Sequence, residues 1–476
     1  MDQPESKITP WEVKGKINYL AQIDHFGTSP VDTKLVERWE RVTKMRAHRF
    51  IRRGIVFSHQ DIDKILDDVE SGKPVYVYTG RGPSSESMHL GHMVPFLFTK
   101  YLQDALNCVV IIQMSDDEKY FFKEGNGPKS LETYQALGRK NARDIIACGF
   151  DVNKTLIFSD LESNSGDLFF NNCLLMKATN MNQIQGIYGL GCTISEHVVN
   201  LCKMAAVHEN NQDKLSAYEK VISAYTGKDS SNSVGQCVWP CFQCGPSYST
   251  SFRKLFIQGL SKHSHPEAEN LIVDLNNRKG SIRCLVPMAI DQAPFFRLAR
   301  DVAHKLDCEK PAVIHSEFLP PLIGDGKMGS TGDNSQVTLF LDMDPLTVRD
   351  TIKKHAFSGG RATLKEHQEL GGDIKIDISY QYLTFFLESD EELEIIARGY
   401  RSGGMLSSEI KTLAADLVSK VIKDHQIRKS QVTDAVVDQF FDSTRVLEIL
   451  TLPPREFTSQ EYKGGAGLDF DKTFGL

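Results

Sequence analysis

Apolar positions along the chain follow two rhythms. From about residue 74 to 345, short strings rich in β-branched and aromatic residues alternate with longer amphipathic stretches. Pro74 to Tyr78 (PVYVY), Asn107 to Gln113 (NCVVIIQ), Lys154 to Ser159 (KTLIFS) and Ile282 to Ala289 (IRCLVPMA) read as buried strands. ETYQALGRKNARDIIACGF and DQAPFFRLARDVAHKL between them carry helical spacing. This alternation predicts an α/β fold, a doubly wound parallel sheet with helices on both faces. After about residue 345 the strands stop, and LTVRDTIKKHAF, ISYQYLTFFLESDEELEIIARGY and SSEIKTLAADLVSKVIKDHQIRKSQ predict a second, all-helical unit. The expected organisation is an N-terminal extension at 1–73, the sheet domain at 74–345, the helical domain at 346–447 and a Pro/Gly-punctuated tail at 448–476.

Candidate chemistry sits where strands end. VYTGRGPSSESMHLGHMVPF, residues 77–96, runs from a strand through Gly80, Gly82 and Pro83 into a helix that begins near His89 and His92. Two imidazoles three residues apart share one face of a first helical turn, beside backbone N–H groups that lack intrahelical partners. Such a position binds anions. A second loop, GDGKMGSTGDNS at 324–335, follows the short strand AVIH and carries one lysine, Lys327, with Met328, Gly329 and Ser330. By itself it reads as a solvated turn; a single lysine in a flexible loop also suits a cation that moves toward phosphates during a reaction. Polar residues at the strand ends, Tyr78-Thr79-Gly80-Arg81, Gln113-Met114-Ser115-Asp116 and Asp291-Gln292, fall where doubly wound sheets bind ligands.

Composition narrows the setting. The chain has 476 residues, 41% of them hydrophobic and 25% charged, enough for roughly two to three ordinary domains. The polar start MDQPESKITPWEV does not resemble a secretory signal, and no apolar run reaches the ~18 residues of a membrane span, so a cytosolic protein is expected. The net charge of −7 requires any nucleic-acid partner to meet a local basic patch, for which RVTKMRAHRFIRRG at 41–54 is the candidate. The ten cysteines lie mostly in apolar strings and read as reduced core thiols.

The two loops, in this order and separated by over two hundred residues, resemble the paired signatures of class I aminoacyl-tRNA synthetases. TGRGPSSESMHLGHMVPF, QMSDDEKY, DIIACGFDVNKTLIFSDL, AIDQAPFFRLARDV, HAFSGGRATLKEH and YLTFFLE together resemble the eukaryotic-type tryptophanyl-tRNA synthetases from about residue 30 to about 440. The resemblance implies a Rossmann-like catalytic domain followed by an anticodon-binding helical domain, a cytoplasmic homodimer, and the partners L-tryptophan, Mg-ATP and the tRNA for tryptophan. It implies that tryptophan's carboxylate attacks the α-phosphate of ATP and that the acyl group then passes to tRNA. Carried over by position, His89, His92 and Lys327 serve the phosphates. Thr79, Gly80, Gly91, Asp291, Gln292, Met328, Gly329 and Ser330 join them in binding ATP. Tyr78 and Gln113 face the indole N–H, and Glu118, Gln183 and Gln243 surround the ammonium group. The loop departs from the family's usual K-M-S-x-S, because Gly329 replaces a serine.

Residues 190–238 read as a helical insertion, at whose end Cys237, Cys241 and Cys244 converge, with Cys192 and Cys202 upstream. C-x3-C-x2-C admits a metal, but Gln243 within it is wanted by the amino acid and no histidine pair completes the set, so no metal is expected. ITPWEVKGKINYLAQIDHFG, near the start, suits a hairpin or a helix covering the ATP site. The alternatives are a tyrosyl-tRNA synthetase of the same architecture and a paralogue that binds tRNA or protein without catalysis.

Overall fold

The computed structural model describes residues 7–8, 13–14, 17–122, 130–163, 166–188, 233–262, 267–329 and 337–449. Nine strands fall in two sheets. β1 (Lys7–Ile8) and β2 (Val13–Lys14) form a small antiparallel ribbon. β3 (Ser29–Pro30), β4 (Val56–Gln60), β5 (Val75–Arg81), β6 (Val109–Met114), β7 (Thr155–Ser159), β8 (Arg283–Ala289) and β9 (Ala312–Ser316) form a seven-stranded sheet in the order β3-β4-β9-β8-β5-β6-β7. β5 to β9 run parallel, while β4 is antiparallel to β9 and β3 to β4. The strand order reverses between β5 and β8, and a doubly wound sheet opens a crevice outside the carboxyl ends of its strands at such a point.

The sheet is buried on both faces, so its strands lack polar alternation. Along β5, Val75 and Val77 enter one apolar core while Tyr76 and Tyr78 enter the other. β6 divides likewise, with Val110, Ile112 and Met114 on one side and Val109 and Ile111 on the opposite side. The first core continues through the Leu90–Leu106 helix into the C-terminal helices, where Tyr382, Phe386, Val418 and Ile422 join it.

The five parallel strands match the expected strings, and the helical text after 345 forms helices from Pro345–His355 to Asp434–Phe441. The sheet extends further toward the N-terminus than expected, since β3 and β4 come from before residue 74. Both readings of the N-terminal stretch have a counterpart, a two-stranded ribbon and then a helix at Tyr19–Phe26. Tyr19, Ile23 and Phe26 of that helix pack against Phe57, Ile290, Ala293 and Phe318, behind the loop that carries Asp291. Most of the 190–238 insertion, Cys192, Cys202, Ser330 and most of the tail lie outside the described residues.

The basic stretch at 41–54 has another role than the expected nucleic-acid patch. Arg49 pairs with Glu388 at 2.6 Å, and Arg52 and Arg53 reach the Asp390 carboxylate at 2.6 and 2.7 Å. Arg53 also donates to the Thr384 and Leu387 carbonyls. These guanidiniums meet the end of the Ile378–Phe386 helix and the start of the Asp390–Arg401 helix. Their charge is spent between segments far apart in sequence, where planar multidentate donors suit clustered carboxylates and carbonyls.

Candidate active site

A cavity of about 450 Å³ opens at the reversal point of the sheet. Its walls include Tyr78, Thr79, Gly80, Arg81 and Gly82 from the end of β5, and Asp291 and Gln292 just beyond β8. His89, Gly91 and His92 line it from the helix start, Glu118 and Gln243 from the helices after β6 and before β8, and Lys327, Met328 and Gly329 from the loop after β9. Two loops more than two hundred residues apart thus face one space.

His89 is the N-cap of the Leu90–Leu106 helix, and the His89 and His92 rings stack with centroids 3.4 Å apart. The His89 backbone N–H donates to His92 Nδ1 at 3.4 Å. His89 Nδ1 is buried without a hydrogen-bond partner among the described residues. Burial, followed by the charge of Arg81, pushes the His89 pKa down to about 3 and holds His92 well below the ordinary imidazole value. Both rings are therefore neutral near pH 7, and each has one N–H to donate. Gly91 keeps the wall open, because a Cβ there would stand 3.2 Å from His89 Nδ1 and 3.4 Å from Met328 Cβ.

Opposite the histidines, Lys327 Nζ lies 2.9 Å from Asp291 Oδ2. Met328 is buried in the core and anchors this end of the loop, while Thr338 Oγ1 donates to the Gly329 carbonyl at 2.6 Å.

Glu118 accepts from Ser115 Oγ at 3.1 Å and Lys119 Nζ at 2.8 Å. Gly82 lies close beside it, and a Cβ at that position would push the Glu118 carboxylate and the Lys119 side chain aside. Tyr78 Oη donates to Gln113 Oε1 at 2.5 Å and also lies 2.9 Å from the Gln243 carbonyl oxygen. Gln113 is fully buried behind Tyr78 and is not itself on the cavity wall.

One expected residue stands elsewhere. Gln183 does not line the cavity; its side-chain oxygen accepts the Asn180 backbone N–H at 3.0 Å and completes a capping box on the Met181–Ile187 helix. Asn followed three residues later by Gln is a helix-start signature, and here that local use prevails. The cysteine trio sits in the Val234–Cys244 helix, where Cys241 and Cys244 are buried in the apolar core and Cys244 Sγ donates to the Phe295 carbonyl at 3.1 Å. Burial pushes the Cys241 thiol up to about 11. No group of three metal-ligating side chains occurs among the described residues.

Sequence reasoning passed over Glu317 and Asp160, and gave Arg81 only as a polar residue at the end of its strand. Arg81 and Glu317 line the cavity; burial pushes Arg81 down to about 10 and Glu317 up to about 7. Asp160, just past β7, holds Gln113 from behind. Their signal was available: each lies at or just beyond the carboxyl end of a sheet strand.

Comparison with known proteins agrees with this geometry. The family model for class I tRNA synthetases (W and Y) matches residues 70–194 and 272–423. The cytoplasmic tryptophan--tRNA ligase of Dictyostelium discoideum is 41% identical over 441 residues, covering 92% of this chain and 95% of its own. That of Oryctolagus cuniculus is 40% identical over 447 residues, covering 92% and 81%. A tryptophanyl-tRNA synthetase from Encephalitozoon cuniculi, solved bound to tryptophan, superposes with a TM-score of 0.71 at 34% identity, covering 90% of this chain and 98% of that one. A parasite tRNA synthetase solved with product bound gives 0.73 at 38% identity, covering 90% and 97%. The chain belongs to the class I tRNA synthetases, within the branch of the eukaryotic cytoplasmic tryptophan--tRNA ligases.

Proposed function

We infer that the protein activates L-tryptophan with Mg-ATP to tryptophanyl-adenylate and pyrophosphate, and then transfers the tryptophanyl group to its tRNA. The observation that carries this reading is the meeting of the His89-Gly91-His92 turn with Lys327 across one cavity. The attacking carboxylate is ionised at pH 7, so the first step needs positioning and charge stabilisation, not a general base. His89 and His92 donate neutral N–H groups to the phosphates, and Gly91 lets the nucleotide lie against the helix. Thr79, Gly80, Asp291, Gln292, Met328, Gly329 and Ser330 complete the nucleotide contacts. Lys327 exchanges Asp291 for the departing pyrophosphate.

Magnesium enters with the nucleotide. An ion that dehydrates as reluctantly as magnesium is carried mainly by phosphate oxygens and water. Glu118 and Gln243 receive the ammonium group, and Tyr78, backed by Gln113, meets the indole N–H. The helices from Pro345 onward read the anticodon, and the protein works in the cytoplasm, as the names of its relatives state of theirs. A homodimer is supported by apolar side chains left exposed on the described surface, Phe169, Phe170 and Met181 among them.

Charging of unfractionated eukaryotic tRNA with labelled tryptophan tests the whole reading. Incorporation of tryptophan and not tyrosine is expected. Absence of charging with either would point to the paralogue without catalysis, and charging with tyrosine to the neighbouring specificity.

A further inference from the structure

Three oxygens converge at the indole end of the cavity with too few protons between them. Tyr78 Oη lies 2.5 Å from Gln113 Oε1 and 2.9 Å from the Gln243 backbone oxygen. Two of the three are carbonyl oxygens and can only accept, while the phenol owns a single proton. Whichever carbonyl takes that proton, the other is left facing an oxygen. Tyr78 and Gln113 are fully buried and Gln243 is half-buried, and an acceptor left unpaired among enclosed groups is costly.

This shortage depends on which way the Gln113 amide points, and the amide is held from behind. Gln113 Nε2 donates to both carboxylate oxygens of Asp160, each at 2.8 Å, and stands 3.4 Å from the Phe242 carbonyl oxygen. Asp160 is buried and hydrogen-bonds with Asp117, which two carboxyl groups can do only by sharing a proton; burial holds both above the ordinary carboxylate value, and Asp117 Oδ1 also accepts from Trp239 Nε1 at 3.3 Å. That proton lies between Asp160 and Asp117, so the Asp160 oxygen facing Gln113 accepts, the amide nitrogen belongs on this side and the amide oxygen faces Tyr78. None of these contacts reaches the cavity through Asp160 itself, which does not line it.

We propose that Asp160 is a specificity-positioning residue: by capturing the amide nitrogen of Gln113 it keeps an oxygen cluster of Tyr78, Gln113 and Gln243 one donor short, and so selects a side chain that brings one N–H and no acceptor. An indole supplies that donor. A phenol supplies a donor too, but adds a fourth oxygen to a cluster already rich in them. A sulfur isostere of the indole supplies no donor and leaves the shortage in place. The proposal rests on tryptophan as the amino acid activated at this site.

The test is reciprocal. In Asp160→Leu the acceptor behind Gln113 is lost, which frees the amide to turn its nitrogen toward Tyr78; the phenol proton then goes to the Gln243 carbonyl and the cluster loses its need for a donor. In Asp160→Asn the new carbonyl accepts from Gln113 while its NH2 donates to Asp117 in place of the shared proton, which keeps the original pattern. ATP–pyrophosphate exchange is measured for wild type and both variants with tryptophan, tyrosine and β-(3-benzothienyl)alanine, with thermal unfolding as a check on folding. Wild type should favour tryptophan over the benzothienyl analogue by at least about a hundredfold in kcat/KM, the scale on which sites that hydrogen-bond a substrate reject one lacking the group. Asp160→Leu should cut that preference at least about tenfold, and Asp160→Asn should keep a substantial part of it.

Equal loss of activity toward all three amino acids in a folded Asp160→Leu would overturn the proposal, as would an unchanged preference in that variant or an Asp160→Asn variant no more selective than Asp160→Leu. If Asp160→Leu does not fold, wild type and Asp160→Asn decide: similar strong preferences support the proposal, and a wild-type preference below about threefold, or its loss in Asp160→Asn, overturns it. Failure of wild type to activate tryptophan at all would instead strike the functional reading on which this rests.

Discussion

Lys327 Nζ and Asp291 Oδ2 stand 2.9 Å apart on the cavity wall, the carboxylate 5% exposed and the ammonium 35%. The pair ties the loop after β9 to the turn after β8. In the proposed reaction Lys327 leaves Asp291 to meet a phosphate. The enclosed carboxylate then loses its counter-charge, a cost that the contact with the phosphate must offset.

Lys327→Ala should therefore act on the transition state. Adenylate formation should slow by about 10²–10³-fold in kcat, with tryptophan affinity nearly unchanged, as for a lost contact to developing charge. Single-turnover kinetics and calorimetric titration with tryptophan separate the two effects. A parallel loss of tryptophan binding would contradict the role given to this lysine.

Glu118 and Gly82 form the next test. Glu118→Ala should weaken tryptophan and tyrosine alike by removing the counter-charge of the ammonium group, without changing the choice between them. Gly82→Ala should do the same indirectly, because its new Cβ collides with the Glu118 carboxylate and must displace it. A shift in side-chain preference in either variant, read as the ratio of kcat/KM values in pyrophosphate exchange, would contradict this assignment.

The buried imidazoles fix how stability responds to acid. Burial lowers the folded-state pKa of His315 to about 3, and those of His48 and His92 well below the ordinary value, against about 6.5 when unfolded. Below pH 6.5 the unfolded chain binds protons that the folded chain refuses, so stability present above that pH is lost as pH falls toward the folded values. Each such histidine contributes a slope of about 1.4 kcal/mol per pH unit within that window. His315, which shares a 3.0 Å hydrogen bond with Ser58 Oγ, is the simplest to remove. His315→Gln should lower Tm somewhat at pH 7.5 and show a shallower decline of Tm between pH 6.5 and 4.5 than wild type; an equal or steeper decline would contradict the argument.

The parts of this account that were legible in the sequence are those in which local pattern and tertiary role coincide. Val75–Tyr78 of β5 and Val109–Ile112 of β6 show no polar alternation because both faces are covered, and the turn between β5 and the Leu90–Leu106 helix shows itself through Gly80, Gly82 and the two histidines. The basic run at 41–54 misleads because sequence displays charge but not its partner; Glu388 and Asp390 are more than three hundred residues away. Gln183 misleads for the opposite reason, its use being purely local, as the N3 residue of a capping box. Asp160 was hidden because its role is indirect. It touches Gln113 and not the cavity, and no spacing rule links the ends of β6 and β7, which meet only in the folded sheet.

The cysteines offer a further check. Cys241 and Cys244 are thiols raised by burial, on a helix packed into the core, and Gln243 between them faces the cavity. Elemental analysis of dialysed protein should find less than one equivalent of zinc or iron per chain. A stoichiometric metal that survives dialysis would contradict it.

The central claim is that this cavity activates tryptophan, and selects it through an oxygen cluster in need of one N–H donor. Hydrogen-bonding sites of this kind can discriminate by roughly 10⁴–10⁵ without editing. Wild-type ATP–pyrophosphate exchange, run side by side with tryptophan and tyrosine, is the most direct measurement. Tryptophan is predicted to win by at least about a thousandfold in kcat/KM; comparable exchange with tyrosine, or none with tryptophan, would contradict the account.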